Sequence, residues 1–317
     1  MLALELIFGL TIVLFGADIL INSAIALGKK YKVSELAIGI IVIGFGTSLC
    51  ELLVSIEAVL NNASELSIGN VIGSNVANIF LVLGTSGLIA NITISKISNF
   101  DKYFHLSIPV VFLLIFSITK FNNFFGLCFI LIFIFYIFKI FKSQKHDEVD
   151  ISENNSDFIS KKVFQRPLVF GVPIIFFSVI LTVFGADYTV LSAIKISEIL
   201  GISESFLGLT FIAIGTSLPE IAAGITAVRK MRFNLIFGNI IGSNLYNLLL
   251  IIGVSSLFPN FDYEATNLLF DVIFLTISTL LFTLMIIFKK EINFSGAIFL
   301  LLIYFSYLGY LYYRNFF

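Results

Sequence analysis

The sequence predicts an all-α membrane protein of about ten transmembrane helices, built as two inverted five-helix repeats with broken helices 2 and 7. Three observations carry that prediction. The 317-residue chain is 58% hydrophobic and only 12% charged, against about 25% charged in an ordinary soluble domain. Apolar runs of about 20 residues, enough for a helix to cross ~30 Å of hydrocarbon, recur from end to end. The two halves also match without a gap. Phe15-Gly16-Ala17-Asp18 recurs as Phe184-Gly185-Ala186-Asp187, and Gly46-Thr47-Ser48-Leu49-Cys50-Glu51 recurs as Gly215-Thr216-Ser217-Leu218-Pro219-Glu220, each 169 residues on. The segment from Gly69 to Asn78 recurs from Gly238 to Asn247 at the same offset.

In order, the apolar runs predict helices over 2–27, 36–60, 66–91, 103–120 and 122–142. A polar stretch over 143–166 reads as a solvated linker, and helices follow over 167–196, 205–229, 232–259, 265–288 and 292–313. The expected division is 1–142 for the first repeat, 143–166 for the linker and 167–317 for the second repeat, in one membrane domain. The alternation of a β-barrel is absent, which leaves helices as the spanning solution. The first run lacks a basic leader and has a counterpart in the second half, so it is expected to belong to the fold and not to be a removable signal.

Five crossings per repeat oblige the second copy to enter the membrane from the opposite side. The charges agree. Lys120, Lys195 and Arg314 fall on one side, and the other basic residues of the 19 fall on the opposite side. The positive-inside rule then puts both termini outside and the linker in the cytoplasm. A net charge of −1 carries no basic nucleic-acid footprint. Cys50 and Cys128 lie in apolar runs and suggest neither a disulfide framework nor a cysteine zinc site. His105 and His146 read as lying in or near loops. With no Trp, an interfacial aromatic belt falls to residues such as Tyr304, Tyr307, Tyr310, Tyr312 and Tyr313, while most Phe read as ordinary lipid-facing side chains.

The polar passages carry the chemistry. A carboxylate in mid-bilayer costs at least ~2.5–3.5 kcal/mol on insertion scales and marks function by default. Glu51 and Glu220 repeat that cost in the same setting. Gly46 and Gly215 tolerate unusual dihedrals, Pro219 removes a helix hydrogen bond, and carbonyls freed by a break must line a cavity or find partners. Thr47, Ser48, Thr216 and Ser217 add hydroxyl oxygens. Oxygens on a flexible broken helix suit Ca²⁺, which takes about 6–8 of them, and Na⁺ can use subsets of the same set. Inverted symmetry would bring Glu51 and Glu220 together near the midplane, where they repel unless cations or protons intervene. Capping or bundle cohesion is the bland alternative for the pair. Ser74, Asn78, Ser243 and Asn247 stand four apart on their helices and suit the same cavity. Asn70, Asn75, Asn239 and Asn244 fit either the cavity or a helix–helix interface. Asp18 and Asp187 suit a structural hydrogen bond or an aqueous helix end as well as an ion contact. Glu57 and Glu65, matched by Thr226 and Asn234, read as surface charges.

Gly-Thr-Ser-Leu-Pro-Glu with Gly-Asn-X-X-Gly-Ser-Asn, present once in each inverted half, resembles the α-repeats of the cation/calcium exchanger superfamily, and within it the prokaryotic sodium/calcium antiporter branch. The resemblance covers nearly the whole chain. It implies a ten-helix antiporter alternating between outward-open and inward-open states, with sodium influx driving calcium export and helices 1 and 6 sliding across the core. By motif position it implies Thr47, Ser48, Glu51, Thr216, Ser217 and Glu220 as ion ligands, with Ser74, Asn78 and Ser243 on the following helices. Gly44 and Ala213 match positions that contribute backbone carbonyls. Cys50 departs from the family's Pro, which would leave the first break less enforced. Asn247 stands where some relatives, including potassium-dependent ones, have Asp, and this weakens the case for potassium cotransport.

The expected partners are Ca²⁺ and Na⁺ as substrates and the bilayer as surroundings, with no resident cofactor, no nucleic acid and a functional monomer. Competing readings are a calcium/proton or potassium-dependent exchanger, a passive cation channel, and an intramembrane hydrolase using Ser48, Ser217 or Cys50. The last lacks an embedded activating base, and no enzyme is expected.

Overall fold

The computed structural model describes residues 2–62, 64–94, 97–143, 158–199, 213–262 and 265–316. Helix α1 spans Leu2–Tyr31. The second span is bent, with α2 (Glu35–Thr47) and α3 (Leu49–Leu60) meeting at 42°. Then come α4 (Ser64–Gly87), α5 (Asn99–Ile118) and α6 (Asn123–Ser143). The second half contains α7 (Phe158–Gln165), α8 (167–199), α9 (Ala213–Thr216), α10 (Leu218–Arg229) and α11 (Phe233–Ser255). It closes with α12 (Ala265–Phe288) and α13 (Phe294–Phe316). Among the described residues eight helices and the bent pair are long and apolar enough to cross a membrane. Residues 205–212, the predicted start of the seventh span, lie outside the described residues.

The turns sort onto two faces. On one, Lys120 pairs with Asp262 at 2.8 Å, and Ser64 donates to the Asn260 carbonyl at 2.9 Å. On the other, Arg232 pairs with Glu35 at 2.8 Å. There too a two-residue strand β1 (Ile92–Thr93) pairs antiparallel with β2 (Glu291–Ile292), registering Ile92 with Ile292. That pairing ends the third span at Gly87, shorter than the predicted 66–91. Part of the stretch read as linker is also helical: α7 lies against α1 and buries Val163, while residues 144–157, including His146, lie outside the described residues.

The interior is one large apolar cluster centred on α2, α4 and α11. Helices α4 and α11 are the most enclosed spans, at 83% and 94% buried, whereas α6 and α13 are each 28% buried and turn residues such as Phe124, Phe138 and Phe299 outward to lipid. Small residues set the closest approaches. A methyl group on Gly39 would stand 2.8 Å from the Gly238 Cα, and one on Gly242 would stand 2.8 Å from the Ile40 Cα, so α2 and α11 cross backbone to backbone. Helices α1 and α8 cross through the matched Gly16 and Gly185 in the same way. Without a hydrophobic drive between helices in lipid, such close packing is the main adhesive.

Each repeat carries a buried clasp between its last two helices. Tyr136 donates to Asp101 at 3.3 Å with its ring stacked on Phe104 at 4.5 Å, and Tyr307 donates to Asp271 at 3.0 Å with its ring stacked on Phe274 at 4.4 Å. Tyr304 and Tyr307 are therefore interior and not part of an aromatic belt, while Tyr310, Tyr312 and Tyr313 are exposed as expected. The placement of His105 in or near a loop is also corrected: it is buried in α5, edge-on to Phe282. Its segment is apolar enough to span, and the ring packs there as an aromatic would. The α2–α11 contact yields a direct prediction. Gly39→Ala and Gly242→Ala should each destabilise by about 1–3 kcal/mol, the usual cost of overpacking, read as a fall of several degrees in melting temperature in detergent. An unchanged melting temperature would refute the close crossing.

Candidate functional site

The breaks form at Ser48 and Ser217, both in the sparsely populated bridge region (φ −74°, ψ 5° and φ −88°, ψ 1°). The Thr47 hydroxyl donates back to the Ile43 carbonyl at 3.0 Å and also lies 3.4 Å from the Gly44 carbonyl, a pattern that bends helices. Proline is not the cause. Pro219 sits in the first turn after the break, where a missing N–H costs nothing, and Cys50 occupies the matching place in a first repeat that breaks at the same point.

The broken spans are strapped to the following helices by matched hydrogen bonds. Asn70 Nδ2 donates to the Glu51 carbonyl at 3.3 Å and Asn239 Nδ2 to the Glu220 carbonyl at 3.5 Å. Across the repeats, Thr216 Oγ1 donates to Asn70 Oδ1 at 3.3 Å, and Asn239 Oδ1 lies 3.3 Å from Thr47 Oγ1 as an alternative acceptor for that hydroxyl. Thr47 faces Ser243, and Thr216 faces Ser74, at 3.4 Å each. Ser243 also donates to the Gly44 carbonyl at 3.3 Å. Asn75 and Asn244 donate to one another's carbonyls at 3.3 and 3.5 Å, and Asn78 Nδ2 donates to Asn244 Oδ1 at 3.1 Å. Asn70, Asn75, Asn239 and Asn244, which suited either cavity or interface, therefore all make interface bonds. Ala213 opens α9.

What these bonds leave over is informative. Both carboxylate oxygens of Glu51 and of Glu220, the hydroxyls of Ser48 and Ser217 and the amide oxygens of Asn78 and Asn247 are buried without a hydrogen-bond partner. These eight oxygens form pairs, each separated by the repeat offset. Glu51 and Glu220 are both 0% exposed and repel one another, and the hydroxyls of Thr47, Ser243 and Ser48 face Glu220. The Glu220 carboxylate thus reaches the first repeat's break. The sequence did not reveal that a π-helical turn widens α4 over Asn78–Val82 and α11 over Tyr246–Ile251, in the manner common at functional sites. The turn takes in Asn78 and Asn247, and no residue type announced it.

An unpaired buried carboxylate is among the most costly groups in a protein, and two of them ringed by neutral oxygens suit a dehydrated cation. Carboxylate, hydroxyl and amide oxygens are the donor types that Ca²⁺ takes. Among the described residues no cluster of three or more His, Cys, Asp or Glu is placed to hold a metal, so any cation here relies on two acids and neutral oxygens. Asp18 and Asp187 stand apart from this set. Asp18 pairs with Lys230 at 3.0 Å, and Asp187 is exposed. Glu57 is exposed, as expected of a surface charge.

The sodium/calcium exchanger protein family matches residues 1–142 and 170–313. This chain belongs to that family. The exchanger-family member "Sodium/calcium exchanger MaX1" of Methanosarcina acetivorans is 30% identical over 98% of this chain and 98% of its own length. "Inner membrane protein YrbG" of Escherichia coli is 31% identical over 80% of this chain and 78% of its own length. Among solved structures, the sodium-calcium exchanger NCX_Mj soaked with 10 mM Na⁺ superimposes with a TM-score of 0.82 at 29% identity, covering 98% of this chain and 99% of that one. The same exchanger soaked with 10 mM Na⁺ and 10 mM Sr²⁺ gives a TM-score of 0.81. The chain is accordingly a multi-pass membrane transporter of the exchanger family and not an enzyme.

The independence of the break from proline is testable. Cys50→Pro should fold and shift stability by less than about 1 kcal/mol, as a proline compatible with its backbone does, read as the melting temperature in detergent. Loss of folding would show that the first break needs a donor at position 50.

Proposed function

We propose that this protein exchanges Na⁺ for Ca²⁺ across the membrane by alternating access, and that the ions bind at the interface of the two broken spans. Glu51 and Glu220 supply the charge. Thr47, Ser48, Thr216, Ser217, Ser74, Asn78, Ser243 and Asn247 supply side-chain oxygens, and Gly44 and Ala213 supply carbonyls. The observation that carries this reading is the matched set of buried oxygens left unpartnered on Glu51, Ser48 and Asn78 and on Glu220, Ser217 and Asn247.

The mechanism follows from the cost of those charges. Two bare carboxylates in a dehydrated site repel and lack solvation, so the site changes sides readily only when cations neutralise it. One divalent ion, or sodium ions distributed over the hydroxyl-rich subsets, meets that need. Movement of one ion is thereby tied to movement of the other, which separates an exchanger from a channel. Family relatives named as sodium/calcium exchangers favour sodium as the counter-ion, and the neutral amide of Asn247 gives potassium no additional acid. Basic residues concentrated on one face support a topology with both termini outside and the 143–166 segment in the cytoplasm, between membrane repeats at 1–142 and 167–317.

The test is Ca²⁺ uptake into proteoliposomes driven in turn by sodium, potassium and proton gradients. The expected result is uptake with an outward sodium gradient at fixed pH, abolished in Glu51→Gln and in Glu220→Gln while both variants still fold. Uptake that follows the proton gradient instead, or that persists in both variants, would overturn the proposal.

A further inference from the structure

The repeat offset aligns the ends of α3 and α10, and there the two halves differ. Thr226, Arg229 and Lys230 of the second repeat match Glu57, Leu60 and Asn61 of the first. A cavity of about 460 Å³ lies between α1 and α10, lined by Leu14, Phe15 and Asp18 on one side and Thr226, Arg229 and Lys230 on the other. Lys230 Nζ stands 3.0 Å from Asp18 Oδ1 across it, and the other carboxylate oxygen of Asp18 accepts from Asn22 Nδ2 at 3.0 Å, which holds the acid in place. Beneath the ion pair, Val13 and Ala17 of α1 pack on Leu218 and Ala222 in a small cluster separate from the main core. In the first repeat, Asn61 carries no charge and spends its amide on the Glu57 carbonyl of its own helix at 2.9 Å. Asp187, the counterpart of Asp18, is exposed.

We infer that the Asp18–Lys230 ion pair is a latch that ties α1 to the end of α10 and holds shut the mouth of the site on that face. Opening on the α10 face separates α1 from α10 and breaks the pair, whereas on the α3 face no matching ion pair is present among the described residues. The two access states of a symmetric duplication are thereby made unequal, and the state open on the α10 face is the rarer one. Lys230 is thus a positioning residue that acts on access and touches no transported ion. The inference rests on the alternating-access reading above, but its test does not use transport.

Thr226 is 6% exposed and lines this cavity, so a cysteine there reports opening. Thr226→Cys is labelled in ion-free proteoliposomes with a membrane-impermeant maleimide, and the signal of the parent with its two native cysteines is subtracted. Lys230→Gln and Asp18→Asn should each raise the labelling rate several-fold. The double variant should add little to either, and the charge-swapped Asp18→Lys/Lys230→Asp should return toward the parent rate. In case the cysteine variant does not fold, hydrogen–deuterium exchange over residues 11–22 of Lys230→Gln in the otherwise native chain should be faster than in the wild type. Unchanged labelling and exchange in Lys230→Gln, or fully additive effects in the double variant, would overturn the latch. A chain that fails sodium-driven uptake yet shows these rate changes keeps the latch and loses the ion assignment, and the converse result does the reverse.

Discussion

Repulsion between two carboxylates that belong to different repeats is the constraint on which the structure depends. Glu51 and Glu220 are wholly enclosed, and their carboxylate oxygens have no hydrogen-bond partner. Everything nearby is arranged around that cost. Asn70 and Asn239 clamp the backbone just where each carboxylate departs, the Thr47 and Thr216 hydroxyls bridge to the opposite repeat, and Asn75 and Asn244 tie the two following helices together. The straps use most of the amide and hydroxyl capacity around the breaks and leave the Glu51 and Glu220 carboxylate oxygens unpartnered. A bilayer interior offers no water as a substitute. In the function proposed above, cations as substrates complete the electrostatics of the site.

The close helix crossings serve the same end. Backbone contact between α2 and α11 at Gly39 and Gly242 brings Ser243 within reach of the Gly44 carbonyl. A larger residue at either glycine would push the second repeat's hydroxyl away from the first repeat's break. The outer helices α5, α6, α12 and α13 add little to the site directly. Their Asp–Tyr clasps hold each pair together around the enclosed α4 and α11. The opposed charges of Asp18 and Lys230 then make the two halves unequal at their ends, although the breaks themselves are closely matched.

Much of this was legible in the residues. A gap-free offset from Phe15 to Asn78 exposed the duplication, and placed the same acid and hydroxyls twice in apolar surroundings, which singled out these residues as the candidate site before any coordinates. What was hidden has physical reasons. A π-helical turn at Asn78 and at Tyr246 comes from the packing of neighbouring helices and leaves no residue signature. The clasps escaped because Asp271 and Tyr307 no longer keep the strict offset to Asp101 and Tyr136, so alignment by a single spacing passes over them. His105 looked like a loop residue beside Lys102 and Tyr103, but helix α5 starts earlier than hydropathy suggests, because Ser98 caps it and Asp101 bonds that cap at 2.6 Å. Pro219 drew attention as the breaker, whereas the bend follows the matched Ser48 and Ser217 geometry in both repeats.

The most direct measurement is diffraction from crystals of this protein soaked in Sr²⁺, with the anomalous signal locating the ion. The account predicts a single strong peak between the Glu51 and Glu220 carboxylates, ligated as well by the oxygens of Ser48, Ser217, Asn78 and Asn247, and lost in Glu51→Gln. A peak bound elsewhere, or carboxylates turned away from one another toward lipid or solvent, would contradict it.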